Sequence, residues 1–192
     1  MASFVNAFKW ACSAESWAEA NRRAEIRIKT EYKRDIRLDD KQRIEKIAIG
    51  YIGEFAFKEW CRQNEIEIEY LGEEIGNTPD HGDFSGCNNQ VIDVKTQEVF
   101  YIPQDDWRCE VTQEQIPRPA DIYVFSKMHT TNNGKRTLYI VGWMTKIEFM
   151  QNAQFHAKGT ILKNRPVHYP KWDVTIAQLQ ELSSLVPVLK EV

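Results

Sequence analysis

The sequence predicts one mixed α/β domain, a central β-sheet flanked by helices, with an N-terminal helical extension. Three observations predict it. Residues 15–64 read as two helices, residues 121–128 and 137–144 read as apolar strands, and the tail beyond them is mixed. An order of helices, then strands, then a mixed tail belongs to α/β or α+β architectures. A chain of 192 residues suits a single domain with a proper core. The expected division is an N-terminal helical arm (1–38), a core (39–145) and a C-terminal helical tail (146–192).

The elements follow in order. Residues 15–36, ESWAEANRRAEIRIKTEYKRDI, contain no Gly or Pro and read as a helix. Asp39 or Asp40 offers an N-cap for a second helix over 41–64. Ile44, Ile47, Ala48, Tyr51, Phe55 and Ala56 give that helix a buried stripe. Gly50 and Gly53 lie inside it, each costing about 1 kcal/mol against Ala. Close approach to another backbone, such as a sheet, would explain their presence. EIEIEYLG (65–72) alternates like a strand. The short strand DFSG (83–86), the turn CNN and the run QVIDVKT then form a hairpin. Residues 98–120 read as loop, with a strand around WRCEVT. DIYVFSKM (121–128) and TLYIVGWM (137–144) are joined by a turn-rich TTNNGK. KIEFMQNAQF reads as a helix, and HYPKWDVTIAQLQELSSLV as another. Trp10, Trp17, Trp60, Trp143 and Trp172 are assigned to the core or to helix docking.

Composition excludes several classes. No apolar run approaches the roughly 18 residues of a membrane span, and the N-terminus has no basic n-region followed by an apolar h-region. Cys12, Cys61, Cys87 and Cys109 are scattered, and the four histidines show no zinc spacing. Reduced thiols in a cytoplasmic protein are expected. The net charge of −3 argues against a uniformly basic nucleic-acid binder. Yet residues 21–46 carry ten Lys/Arg against six Asp/Glu, while the remainder is acidic. An acidic body with a basic helix fits a nucleic-acid enzyme with a carboxylate site; a solvated helix face is the plain alternative.

The run VIDVKTQ (91–97) carries the chemistry. Strand alternation puts Asp93 and Lys95 on one face. Burying charge is expensive unless it is paired or holds a metal. Of three acid-x-Lys triplets in the chain, this alone lies on a strand. Asp83 opens the partner strand of the hairpin, so its carboxylate can converge with that of Asp93. Asp80, in the Pro79-Asp80 pair, is an alternative or an addition. Two neighbouring carboxylates repel, and a divalent cation relieves the conflict. All-oxygen ligands point to Mg²⁺ or Mn²⁺ rather than zinc. Lys95 can orient a water and stabilise developing negative charge at a phosphate. Glu54, after Gly53, offers a third carboxylate. A structural Asp93–Lys95 ion pair, an exposed Glu54–Lys58 helix pair, and turn roles for Asp80 and Asp83 are the plain readings of the same residues.

GYIGEFAF (50–57), PDHGDF (79–84) and VIDVKTQ (91–97), in this order, resemble the PD-(D/E)XK nuclease superfamily over roughly residues 40–145. The resemblance implies a restriction-endonuclease-like fold, a mixed central sheet flanked by helices. It implies Mg²⁺-dependent hydrolysis of DNA phosphodiester bonds, in restriction, repair, recombination or phage DNA processing. Asp83, Asp93 and Glu54 match the metal-binding acids, with the Val94 carbonyl a further ligand. Lys95 matches the catalytic lysine, and Gln97 a polar position just beyond it. The literal Pro-Asp is Pro79-Asp80, a departure that leaves Asp80 as an alternative to Asp83. Arg108 and Arg118, with Phe100, Tyr101 and Trp107, are candidates for contact with a nucleic acid by stacking and phosphate contact; local packing of loop aromatics is the plain alternative. Cutting both strands of a duplex calls for two sites, which a homodimer would supply. The rival expectation is a non-catalytic nucleic-acid or protein interaction module on the same fold.

Overall fold

The structure, a computed structural model, describes residues 2–30, 38–72 and 82–190. A short strand β1 (Phe8–Ala11) precedes helices α1 (Ala14–Thr30) and α2 (Asp40–Gln63). Strands β2 (Glu69–Tyr70), β3 (Phe84–Ser85), β4 (Val91–Val99), β5 (Arg108–Thr112), β6 (Ile122–Thr130) and β7 (Arg136–Thr145) follow. The chain ends with α3 (Lys146–Asn152), β8 (Gln154–His156), β9 (Ile161–Leu162), β10 (Arg165–Pro166), β11 (Lys171–Thr175) and α4 (Leu185–Lys190).

The main sheet has the order β1-β7-β6-β4-β3-β2. Its one parallel pair is β4–β6; the other neighbours are antiparallel. A second sheet, β5-β11-β8, lies on one face of the main sheet, and β9–β10 is a small hairpin. The mixed α/β class is therefore as expected. A parallel pair needs a crossover, and here the crossover carries β5 out into the second sheet. Two cores result. Ala20, Ala24, Ile52, Phe57, Ile92 and Val124 belong to the core between the main sheet and α1 and α2. Val111, Tyr123, Phe125, Phe149 and Val174 belong to the core on the opposite face.

Local signals explain the well-placed elements. α2 starts at a capping box: the Gln42 amide donates to Asp39 Oδ1 at 2.8 Å, and the Asp39 amide donates to Gln42 Oε1 at 3.2 Å. The hairpin pairs Phe84 with Ile92 and Ser85 with Val91. β6 and β7 pair along their length, with one irregularity at Phe125/Ser126. Trp60 and Trp143 are buried, and Trp10, Trp17 and Trp172 pack on the cores. No disulfide joins the four cysteines.

Four expectations are corrected. The N-terminal segment, expected as a helical arm, is not helical throughout: β1 is an edge strand of the main sheet, and α1 after it buries Ala20 and Ala24 completely. Four strand residues carry too short an alternation to register in the sequence. The predicted strand over 65–72 shrinks to β2. Glu65 takes a left-handed φ of 54°, and the Ile66 amide returns to the Cys61 carbonyl at 2.9 Å, so its first residues close α2. The predicted C-terminal helical tail is largely strand and turn. Trp172, Asp173, Val174 and Thr175 include β-branched and aromatic residues that favour β11. Gln180 then bridges to Trp143 on β7, with amide–carbonyl distances of 2.9 and 3.1 Å. Gly50 does not approach the sheet at all. A Cβ there would have nothing within 4 Å, whereas one on Gly53 would lie 1.9 Å from Thr96 Oγ1. Part of the predicted first helix, residues 31–36, lies outside the described residues.

The two glycines therefore separate in a stability measurement. Gly53→Ala forces α2 off β4 and is expected to cost about 1–3 kcal/mol. Gly50→Ala is expected to stabilise by about 0.5–1 kcal/mol. Denaturant unfolding of the two variants checks both signs.

Candidate active site

β3 pairs with only the first two residues of β4. From Asp93 onward, β4 keeps β6 on one side, and no strand among the described residues covers the other. A cleft of about 530 Å³ runs along this open edge. Asp93, Val94, Lys95, Thr96, Gln97 and Glu98 line it in unbroken succession. Successive side chains on a strand point to opposite faces, so only a cleft on the strand's edge can meet all six. Opposite walls bring Arg27 from α1, Lys46 and Gly50 from α2, and Glu110 and Arg118 from β5 and the segment after it.

Asp83 immediately precedes β3, at the end of its ladder with β4. Its amide donates to the Ile92 carbonyl at 2.9 Å, and its Oδ2 accepts the Val94 amide at 2.6 Å. The carboxylate thus takes the place that the next residue of a longer β3 would fill. In a parallel pair, alternate residues turn their backbone groups away from the partner. The Val94 carbonyl therefore faces the same open edge as its amide.

Asp93 and Lys95 lie on the sheet face shared with Tyr123 and Phe125, opposite the α2 face. Lys95 Nζ is 2.5 Å from Asp93 Oδ2 and 5.8 Å from the centre of the Tyr123 ring. Both side chains are nearly buried, 11% and 12% exposed, so water screens the pair little. Gln97, next in the row, accepts a hydrogen bond from Lys127 Nζ, which also donates to the Arg108 carbonyl.

Glu54 is buried on α2, and its Oε2 accepts the Tyr70 hydroxyl at 2.6 Å. It is no exposed partner of Lys58, and it stands behind the cleft rather than in its lining. Burial pushes the Glu54 carboxyl up. Donation from Tyr70 and the charges of Arg27 and Arg23 pull it partly back, and Asp93 raises it further. Asp83 is raised well above the ordinary carboxylate value by burial first, then by Glu54 and Asp93. The Val94 amide and Lys95 oppose this without cancelling it. Three carboxylates are thus brought into electrostatic contact at the end of β3.

The residues singled out in the sequence are mostly brought together. Asp83, Asp93, Lys95, Gln97 and Arg118 line one cleft. Asp80 lies outside the described residues. Arg108 is not among the residues that line the cleft; its partly exposed guanidinium pairs with the fully buried Asp173 at 2.9 Å. Sequence reading missed Tyr70, Tyr123, Lys127 and the cleft positions of Arg27 and Lys46. Lys127 left a legible signal, a lysine within the apolar run DIYVFSKM. Tyr123 did not, although its buried hydroxyl has no hydrogen-bond partner among the described residues and Asp93 helps to raise its pKa.

Among the described residues, no three His, Cys, Asp or Glu side chains converge as a ready-made metal cage. Mg²⁺ does not need one. It binds through one or two carboxylates together with waters and substrate phosphate. Asp83, Asp93 and the Val94 carbonyl supply an all-oxygen set of that kind at the cleft, and their chemistry fits the ion. No helix among the described residues is long and apolar enough to cross a membrane. No family model, characterised protein or solved structure matches the chain.

The raised carboxyls predict an inverted pH response. A carboxyl whose folded pKa exceeds its unfolded value binds more protons when folded. Its stability contribution is present below the ordinary carboxylate range and is lost as pH rises through the folded pKa. Metal-free protein is therefore expected to lose stability as pH rises above the ordinary carboxylate range, and Asp83→Asn to flatten that slope. Unfolding curves from that range upward, with and without Mg²⁺, test it; Mg²⁺ is expected to restore stability at the high-pH end.

Proposed function

We propose that the chain is a metal-dependent nuclease with a restriction-endonuclease-like core, hydrolysing DNA phosphodiester bonds in the cleft along β4. The observation that carries this reading is the row Asp83, Asp93 and Lys95 at an open sheet edge. Carboxylates that repel one another stand there beside a nearly buried lysine, facing walls that carry Arg27, Lys46 and Arg118 as well as Glu110. A glycine-bearing helix, a hairpin aspartate and a strand Asp-x-Lys in this order also match the motifs of the resembled superfamily.

Asp83, Asp93 and the Val94 carbonyl would hold Mg²⁺ or Mn²⁺, with Glu54 behind them adding negative charge. When bound, the ion supplies Lewis-acid activation of the phosphate and of water. The chain's own residues do the remainder. With Asp93 engaged by the ion, Lys95 would donate toward the attacking water and the negative charge developing on the phosphoryl oxygens. Gln97 is held by Lys127 and fixes the next position along the edge. Arg27, Lys46 and Arg118 receive the flanking phosphates.

One observation favours the rival reading, a non-catalytic nucleic-acid or protein interaction module. Asp93 and Lys95 already satisfy each other, as a structural ion pair would. The two readings part in one experiment. Supercoiled plasmid incubated with the protein and Mg²⁺ or Mn²⁺ is expected to be nicked or linearised. EDTA is expected to abolish this, and Lys95→Ala to slow it about 100-fold or more. Mg²⁺ is also expected to raise the unfolding temperature of the intact protein but not of Asp93→Ala. No cleavage together with no metal-induced shift would favour the module.

A further inference from the structure

The cleft strand leads directly into an apolar tip. Glu98 lines the cleft, Val99 ends β4, and Phe100, Tyr101 and Ile102 follow with 72%, 75% and 57% of their surfaces exposed. Three consecutive large apolar side chains in water are costly to display and mark a contact surface.

The tip stands on an anchored base. Pro103 is buried, and a residue before proline is held in extended conformation. The Asp105 carbonyl accepts the Ala177 amide at 3.0 Å, and its Oδ1 accepts the Phe4 amide at 2.7 Å. The Trp107 carbonyl accepts the Ile176 amide at 2.9 Å. Asp106 pairs with Lys163 at 3.3 Å. Asp105 and Asp106, which follow the tip, are thus engaged on its anchored side, Glu98 before it accepts the Thr130 hydroxyl at 2.9 Å, and binding at the tip need not order a loose loop.

Resting on the nuclease reading above, we infer that Phe100 and Tyr101 stack on unpaired bases of the substrate. The substrate class is then a nucleic acid with a single-stranded segment beside the cleavage point. Two features select this occupant. The tip continues a cleft whose walls carry Arg27, Lys46 and Arg118, so a polyanion lying along β4 reaches the tip next. In addition, the exposed groups are mainly aromatic, and base faces are their natural partners. Within a duplex those faces are covered by neighbouring base pairs; an unpaired nucleotide offers them. Five residues of strand separate Lys95 from Phe100, about 17 Å at about 3.3 Å per residue. That equals about five steps of a duplex at about 3.4 Å each, and fewer nucleotides of an extended single strand.

The test is equilibrium binding of the intact chain to labelled oligonucleotides, with Ca²⁺ replacing Mg²⁺ and separately in EDTA. The probes are a blunt duplex and the same duplex with a single-stranded overhang of two or of about eight nucleotides. The long overhang is expected to bind about tenfold or more tightly than the blunt duplex, and the short one to gain little. The double variant Phe100→Ala/Tyr101→Ala is expected to lose that preference, with blunt-duplex affinity and unfolding temperature unchanged. Equal binding of blunt and overhang probes, or a preference that survives in the variant, would overturn the inference and leave the nuclease reading standing. A variant that instead turns a dimer into a monomer in sedimentation would also overturn it, by making the tip a contact between copies. Failure of the intact chain to bind any probe would overturn both readings.

Discussion

The Val94 amide donating to the Asp83 carboxylate is the contact on which the rest of the site depends. A longer β3 would have paired that amide with a backbone carbonyl and carried the sheet across the place where the cleft lies. Instead the ladder stops after Ser85 and Phe84, and a side chain closes it. One hydrogen bond therefore caps the ladder, draws a carboxylate to its end and leaves the edge of β4 beyond it uncovered among the described residues. The remaining features, from the succession of cleft residues to the outward carbonyl of Val94, follow from that truncation.

The electrostatics follow from the same geometry. Asp83 comes under the influence of Asp93 from the strand and Glu54 from the helix behind, in a region that water reaches poorly. A folded chain tolerates this only with compensation, and each acid has some. Asp83 has an amide, Asp93 has Lys95, and Glu54 has Tyr70. The compensation is incomplete, since Glu54 and Asp83 both remain raised. Such residual frustration is a cost to stability that a cation would relieve, and it gathers where functional sites gather.

The second sheet builds the far wall. Asp173, fully buried on β11, binds Arg108 of β5 and lies 3.1 Å from His156 Nε2 of β8, although that approach is not aligned for a hydrogen bond. Lys171 pairs with Glu110, which itself lines the cleft. Lys127 crosses between layers, joining Gln97 of β4 to the backbone of β5. The pairs on Asp173 and Glu110 tie β5 to β11 within the second sheet, and Lys127 ties β5 to the main sheet.

Much of this was written in local sequence. The capping box at Asp39, the alternation in 121–128 and 137–144, and the DFSG–CNN–QVIDVKT hairpin depend on neighbours in the chain. The pairing of Asp93 with Lys95 needed only the two-residue period of a strand. The contribution of Gly53 was legible as a cost within a helix that some contact had to offset. Tertiary structure decided the rest. β1 and β11 are short, and their stability comes from distant partners on β7, β5 and β8, which no local pattern reports. Glu65 reads as strand by alternation but closes a helix, because φ at one residue overrides periodicity. Where β3 stops, that Glu54 meets Tyr70, and that Arg108 turns to Asp173 rather than to the cleft are outcomes of packing between segments far apart in the chain. The sequence alone singled out Asp83, Asp93, Lys95 and Glu54 as candidate residues. Only the fold determined that they meet along an open edge, because burial and electrostatic coupling exist only once those segments are in contact.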